Sequence, residues 1–202
     1  MADLLEKLGF AKLQNVIIYG VVVAIILALL AKGIDLNSFI WWAFIVRWFH
    51  IASGVMWIGL LYYFNFVQTP SMPKIPDDQK PAVTKVIAPT ALFWFRWAAL
   101  STVIFGLILA GMNHYIVEAL TLGIMGGGAK ATAIGIGMWL GLIMAYNVWM
   151  IIWPNQQKIL GLVEATPDEK KVAAKAAGMA SRFNTMASIP MLYFMAAASH
   201  IY

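Results

Sequence analysis

The sequence predicts an all-α membrane protein, a polytopic bundle of about five transmembrane helices. Hydrophobic residues fill 62% of the 202 positions, charged residues only 11%, and the mean hydropathy is +0.79. Soluble domains carry about a quarter charged residues, so this composition excludes the soluble class. Five apolar segments each reach the roughly 20 residues that a spanning helix needs, and they lie near residues 14–34, 38–68, 91–113, 130–153 and 180–201.

The first 13 residues predict a short interfacial helix. Leu4, Leu5, Leu8 and Ala11 recur at helical spacing ahead of the first apolar segment. Two acidic residues and the lack of a small-residue cleavage site argue against a removable signal peptide. Residues 14–202 are expected to form a single transmembrane helical domain.

The connections between the apolar segments carry the topology signal. The stretches QTPSMPKIPDDQKPAVTK and EATPDEKKVAAKAA are polar and predict loops outside the lipid. All but Lys32, Arg47 and Lys130 of the 14 basic residues fall on one predicted side. The positive-inside rule then places the N-terminus in the cytoplasm and the C-terminus outside. The net charge of +5 reflects this orientation, and no nucleic-acid partner is expected.

Two later segments carry packing signals. Ala133, Gly137, Gly141 and Ala145 place a small residue at every fourth position of the fourth segment, a spacing that predicts close packing against another helix. Pro190 lies within the fifth segment and predicts a kink, because proline removes one backbone donor and crowds the preceding turn.

The candidate metal ligands are three histidines. The chain has no cysteine, which excludes disulfides, thiolate metal sites and covalently attached haem c. Each histidine lies 18 positions from a polar residue at the other end of its segment, which corresponds to roughly 27 Å of helix. All three imidazoles are therefore expected near one membrane face, in the pairs His50 with Gln68, His114 with Arg96, and His200 with Arg182.

One interpretation of the histidines is a b-type haem. Gly54 lies one turn from His50 and Ala196 one turn from His200, so small residues leave room beside both imidazoles. Arg47 lies one turn before His50, where it would neutralise a haem propionate. The alternatives are a structural role for both histidines, or a copper or non-haem iron centre if His114 also turns inward.

A second polar cluster is predicted toward the cytoplasmic half. Amide and guanidinium groups bind planar polar ligands through forked hydrogen bonds, so this cluster is a candidate substrate site. The alternative is a set of ordinary polar residues at helix ends. The cluster consists of Asn65, Gln68, Arg96, Asn147, Arg182 and Asn184.

Three blocks of the sequence together resemble the membrane domain of the bacterial integral-membrane urate oxidase (urate hydroxylase) family. They are RWFHIASGVMWIGLLYYFNFVQTP, NVWMIIWPNQQKIL and SRFNTMASIPMLYFMAAASH. The resemblance extends from about residue 45 to residue 201. It implies a membrane oxidoreductase of the bacterial inner membrane that oxidises urate toward 5-hydroxyisourate and passes electrons to a cytochrome c.

The chain departs from the family pattern in two respects. It shows five predicted spans, fewer than the family's membrane domain, and it has no CxxCH motif of the family's C-terminal cytochrome c domain. We therefore expect a separate cytochrome c, or other membrane subunits, as partners within the lipid bilayer. The alternative function is a non-catalytic haem-carrying or accessory subunit of a respiratory membrane complex.

Overall fold

The structure is a computed structural model that describes residues 1–202, and it confirms an all-helical fold with no strand. Three of the long helices each contain a turn of π-helix, and we number such a continuous helix once. The helices are α1 (Ala2–Lys7), α2 (Leu13–Leu30), α3 (Phe39–Lys74), α4 (Lys80–Met112), α5 (Ile116–Leu120), α6 (Gly128–Leu160) and α7 (Pro167–His200).

Backbone contacts divide the chain into two units, Met1–Trp42 and Ala43–Tyr202. In the first unit the short N-terminal helix is present, as α1. The Tyr19 hydroxyl donates to the Leu8 carbonyl over 2.7 Å, and the Asn15 amide donates to the Gly9 carbonyl over 3.1 Å. These bonds fix the turn between α1 and α2. No residue of α2 is buried within the protein, so its apolar surface is available to lipid.

Four helices, α2, α3, α4 and α6, are long and apolar enough to cross a membrane. The fifth predicted span, 180–201, lies in α7, which has 34 residues but is not among the four. The difference arises because Arg182, Asn184 and His200 lower the hydropathy of this segment. Helix α7 also continues through Pro190 without a break.

The long helices extend beyond the predicted segments into the polar connections. Only Ile75–Gln79 separates α3 from α4, and only Gly161–Thr166 separates α6 from α7. The prediction that both polar stretches are loops is therefore wrong for most of their length. At the start of α7, Thr166 and Glu169 form a capping box, and the hydrogen bonds from Thr166 lower the pKa of the Glu169 carboxyl.

A proline follows each π-helical turn at the same distance. The turns are Tyr63–Gln68, Val83–Ile87 and Asn147–Ile152, and the prolines that lie two residues after them are Pro70, Pro89 and Pro154. Proline lacks an N–H and its ring crowds the carbonyl one turn earlier. The wider π-helical turn accommodates both effects, which lets each helix continue past its proline.

In the second unit, α3 runs antiparallel to α4 and to α7. His50 pairs with Thr102 and Phe64 with Phe95 across the first interface. The Tyr62 hydroxyl bonds to the Ser188 hydroxyl across the second. Helix α6 closes the arrangement between α4 and α7, and the residues buried among the four helices include Trp57, Leu61, Phe95, Ala99, Met144, Val148, Ala187 and Met191.

The small residues of α6 allow two close approaches. A Cβ at Gly137 would lie 3.2 Å from the side chain of Met195 on α7, which confirms tight packing on this face. A Cβ at Gly135 would overlap the backbone carbonyl oxygen of Ala119 on α5. The backbone of α5 therefore rests directly on α6 at Gly135.

We expect Gly135→Ala to destabilise the protein by about 1 to 3 kcal/mol, because a backbone carbonyl cannot rotate away as a flexible side chain can. Gly141→Ala is the matched control on the same helix, since a Cβ at Gly141 meets no atom within 4 Å. Thermal unfolding in detergent measures both variants. Equal melting temperatures for the two variants would contradict the contact between α5 and α6.

Candidate functional site

His50 is half-buried between α3 and α4. Its Nδ1 lies 2.8 Å from the backbone carbonyl oxygen of Thr102. A carbonyl only accepts, so Nδ1 carries the proton and Nε2 keeps its lone pair. One helical turn away, the hydroxyls of Ser53 and Ser101 lie 2.9 Å apart. The imidazole is therefore held in one tautomer with a free coordinating nitrogen.

Gly106 of α4 leaves the room that the His50 ring occupies. A Cβ at Gly106 would lie 2.9 Å from His50 Cε1, whereas a Cβ at Gly54 would face the Thr102 methyl group at 3.8 Å. Gly106 is thus the glycine that packs against the ring, and the role predicted for Gly54 stays a prediction. Gly106 could not be identified from the sequence, because nothing in the sequence aligns α4 with α3.

His200 lies exposed at the end of α7. Its Nδ1 donates to the Ala196 carbonyl over 2.8 Å, so Nε2 is again free. A shallow groove of about 160 Å³ lies beside the ring and is lined by Tyr193, Ala196, Ala197, His200 and Ile201. Enclosed ligand sites occupy about 300 to 1,000 Å³. No residue of α3 lines this groove.

The helix register places His50 and His200 at one level of the bundle. Tyr62 bonds to Ser188 across the antiparallel pair α3 and α7. His50 precedes Tyr62 by 12 positions (62 − 50) and His200 follows Ser188 by 12 (200 − 188). The two imidazoles therefore lie at the same distance along the bundle from this contact.

The other predicted groups near the histidines are exposed. His114 lies in the turn after α4 with a left-handed backbone (φ 57°). No group of three or more His, Cys, Asp or Glu side chains comes together in the chain, so the three histidines do not assemble a metal centre.

Arg47 is exposed. The positive charge of Arg47 acts on the hydroxyl of Tyr115, a residue that was missed in the sequence. Burial raises the pKa of Tyr115, and Arg47 opposes this shift.

A layer of polar side chains crosses the bundle about four turns from His50. Asn184 is fully buried in α7 and Asn147 is 9% exposed in α6. The Asn147 amide donates to Asn184 Oδ1 over 2.8 Å, and the Asn184 amide donates to the Met144 carbonyl over 2.9 Å. This pair leaves Asn147 Oδ1 without a partner inside the chain. We call the polar side chains that bond between helices at this level the central polar layer. Its members are Tyr62, Asn65, Asn147, Ser181, Asn184 and Ser188.

Helix α3 contributes two members to the central polar layer. The Asn65 amide donates to the Ser181 hydroxyl over 2.8 Å. Ser188 donates to the Thr185 carbonyl, so the Tyr62 hydroxyl must donate to Ser188 over 2.9 Å. Tyr62, Ser181 and Ser188 were missed in the sequence, because isolated hydroxyl groups in apolar helices carry no distinguishing pattern.

Arg96 of α4 lies at the edge of the central polar layer. Its guanidinium carbon is 3.7 Å from the centre of the Trp153 ring and 5.5 Å from that of Phe93. The Trp149 indole N–H donates to the Arg96 carbonyl over 3.1 Å, which joins α4 to α6 at this level. Arg96 is half-buried.

Two buried polar atoms have no partner. The Nε1 of Trp57 lies in a side chain that is 1% exposed, and Gln68 Oε1 is also covered. An unpartnered buried group of this kind costs about 1 to 3 kcal/mol and marks a place for water or a ligand.

Of the six predicted substrate residues, Asn65, Asn147 and Asn184 lie in the central polar layer. Arg96 and Gln68 lie beside it, and Arg182 is exposed with no side-chain partner.

The comparison with protein families gives one match. Residues 126–201, which contain α6 and α7, match the family described as urate oxidase N-terminal. This confirms a resemblance to urate oxidases for 76 of the 202 residues (201 − 126 + 1), and the matched part includes Asn147, Asn184 and His200. No curated protein and no solved structure matches the chain. The matched part is thus similar to urate oxidases in the two helices that form the buried asparagine pair.

Proposed function

We propose that the protein is a membrane-bound oxidoreductase that oxidises urate, or a closely related purine, and passes the electrons to a separate cytochrome c. The observation that carries this proposal is the family match over α6 and α7. The proposal places the protein in the bacterial inner membrane, with the N-terminus inside and the C-terminus outside.

The central polar layer supports a planar polar substrate. It offers free acceptors at Asn65 Oδ1 and Asn147 Oδ1 and free donors at the Ser181 hydroxyl and the Arg96 guanidinium. Urate alternates ring N–H and C=O groups around its edge, so it needs donors and acceptors in one site. The layer lies between four apolar helices, which exclude water from a bound ring.

The reaction removes two electrons from urate and adds one water molecule. Urate and water give 5-hydroxyisourate, two protons and two electrons, and two molecules of oxidised cytochrome c accept the electrons one at a time. In this proposal the side chains of the layer bind and orient the purine. No residue acts as a covalent nucleophile.

The proposal includes a b-type haem, which the donor chemistry of the two histidines supports. Both Nε2 atoms are free, both Nδ1 protons are fixed by backbone carbonyls, and the two rings lie at one level. His50 and His200 would hold the haem and Arg47 would neutralise a propionate. The haem would supply electron transfer between the substrate and the outer partner.

We expect the purified protein to show a b-type absorption spectrum that changes to the reduced form when urate is added without oxygen. The measurement is an optical spectrum before and after urate, with dithionite as the full-reduction reference. If dithionite reduces the haem but urate does not, the enzyme proposal fails and the result supports a haem-carrying accessory subunit. A protein that lacks haem but holds stoichiometric copper or iron would exclude the haem assignment.

A further inference from the structure

Arg96 is a cation without an anionic partner. The ion pairs of the chain are Lys80 with Asp77 and Lys171 with Asp168, both exposed. All nine acidic residues lie outside α3, α4 and α6. No carboxylate of these three helices can therefore neutralise the Arg96 guanidinium.

The contact with the Trp153 ring offsets only part of the free-energy cost of the Arg96 charge. A cation stacked on an aromatic ring gains about 0.5 to 2 kcal/mol. A charged side chain within a membrane segment costs about 2.5 to 3.5 kcal/mol by insertion scales. The part of the cost that the aromatic ring does not offset favours binding of an anion from outside the chain.

The geometry leaves the guanidinium ready to bind such an anion. The Trp149 indole fixes the Arg96 backbone, and Trp153, one turn further along α6, lies 3.7 Å from the guanidinium carbon. No N–H group of the guanidinium donates a hydrogen bond within the chain. Its planar fork suits the two neighbouring oxygen or nitrogen acceptors of a flat anion.

The surroundings favour a flat ligand over a tetrahedral one. Phe93 and Trp153 border the guanidinium, and the Trp97 and Trp149 rings meet edge to face with centroids 5.4 Å apart. Aromatic walls stack on planar rings. No lysine and no second arginine lies in this contact set to complete a phosphate site.

We propose that Arg96 binds the anionic form of a planar purine substrate and that Trp153 is its positioning residue. This inference rests on the proposed function and assigns its substrate class. Urate carries one negative charge at neutral pH, which Arg96 neutralises. Trp153 keeps the guanidinium plane fixed and thereby sets the affinity.

The test is urate binding to the full chain in phosphatidylcholine nanodiscs, measured by equilibrium dialysis. We expect Arg96→Gln to weaken binding about tenfold or more, since a hydrogen bond to a charged group contributes about 1.5 to 3 kcal/mol. Trp153→Leu should weaken it about 2- to 30-fold, and Trp153→Phe should restore most of the affinity because it keeps an aromatic face. Lys85→Gln is the control, since it removes one exposed charge from the same helix.

The pH dependence separates charge recognition from a structural effect. Wild-type affinity should fall as the pH is lowered through the first pKa of urate, and Arg96→Gln should show no such fall. If wild type binds urate and Arg96→Gln binds it equally well, the inference fails and the proposed function stands. If wild type binds no urate, the inference and the assignment of urate as the substrate both fail.

Discussion

Replacement of Asn184 by leucine is expected to lower urate oxidation about tenfold or more. Asn184 is fully buried and joins α7 to α6 through Asn147 and the Met144 carbonyl. Leucine removes both bonds and leaves the Asn147 amide without its acceptor. Interhelical hydrogen bonds of this type contribute about 1 to 2 kcal/mol in membranes. Their loss frees Asn147, which the proposal places against the purine, and a rise of about 1.4 kcal/mol in the activation free energy is tenfold in rate.

The matched control is Asn155→Leu. Asn155 lies on α6 like Asn147, but its amide donates to Ile151 of its own helix over 2.7 Å. The same chemical change there should leave urate oxidation within about twofold. Steady-state urate consumption is measured for both variants after their helix content and melting temperature are compared. Equal activity in Asn184→Leu and wild type would exclude the buried pair from the substrate site.

Replacement of His50 by alanine is expected to abolish the haem spectrum and all cytochrome c reduction. The change removes one of the two proposed haem-holding residues and also the bond from Nδ1 to the Thr102 carbonyl. His114→Ala is the control, because His114 is exposed in the turn after α4. It should keep both the spectrum and the activity.

Added imidazole distinguishes ligand loss from misfolding. Free imidazole should restore part of the spectrum of the His50→Ala protein, because the cavity left by the ring lies against Gly106. A His50→Ala protein that keeps a wild-type haem spectrum would exclude His50 as a ligand. The same loss in His114→Ala would indicate a general structural effect.

Much of the fold was predictable because apolar length and composition determine helices in a membrane. Four of the five predicted segments lie in long helices to within one residue at each end, and the first, 14–34, extends four residues beyond the end of α2 at Leu30. The helix ends were not predictable in this way, because the polar connections contain five prolines, a residue that normally ends a helix. At Pro70, for example, the π-helical turn Tyr63–Gln68 accommodates the proline ring, and the helix continues to Lys74.

The candidate site was predictable in its residue types but not in its pairs. Asn65, Asn147 and Asn184 were singled out because amides are rare and costly in apolar helices. Their partners Ser181, Tyr62 and Ser188 depend on the register between α3 and α7, which no local pattern encodes. For the same reason the sequence did not indicate Gly106 of α4, which packs against the His50 ring.

The coupling between urate consumption and cytochrome c reduction tests the central claim most directly. The purified protein in nanodiscs is mixed with urate and oxidised cytochrome c without oxygen, and both absorbances are followed together. The account predicts two molecules of cytochrome c reduced for each urate consumed, with about tenfold or more slower turnover in Asn184→Leu. Haem that is reduced by a chemical reductant and reoxidised by cytochrome c, with no urate consumed, would contradict the claim.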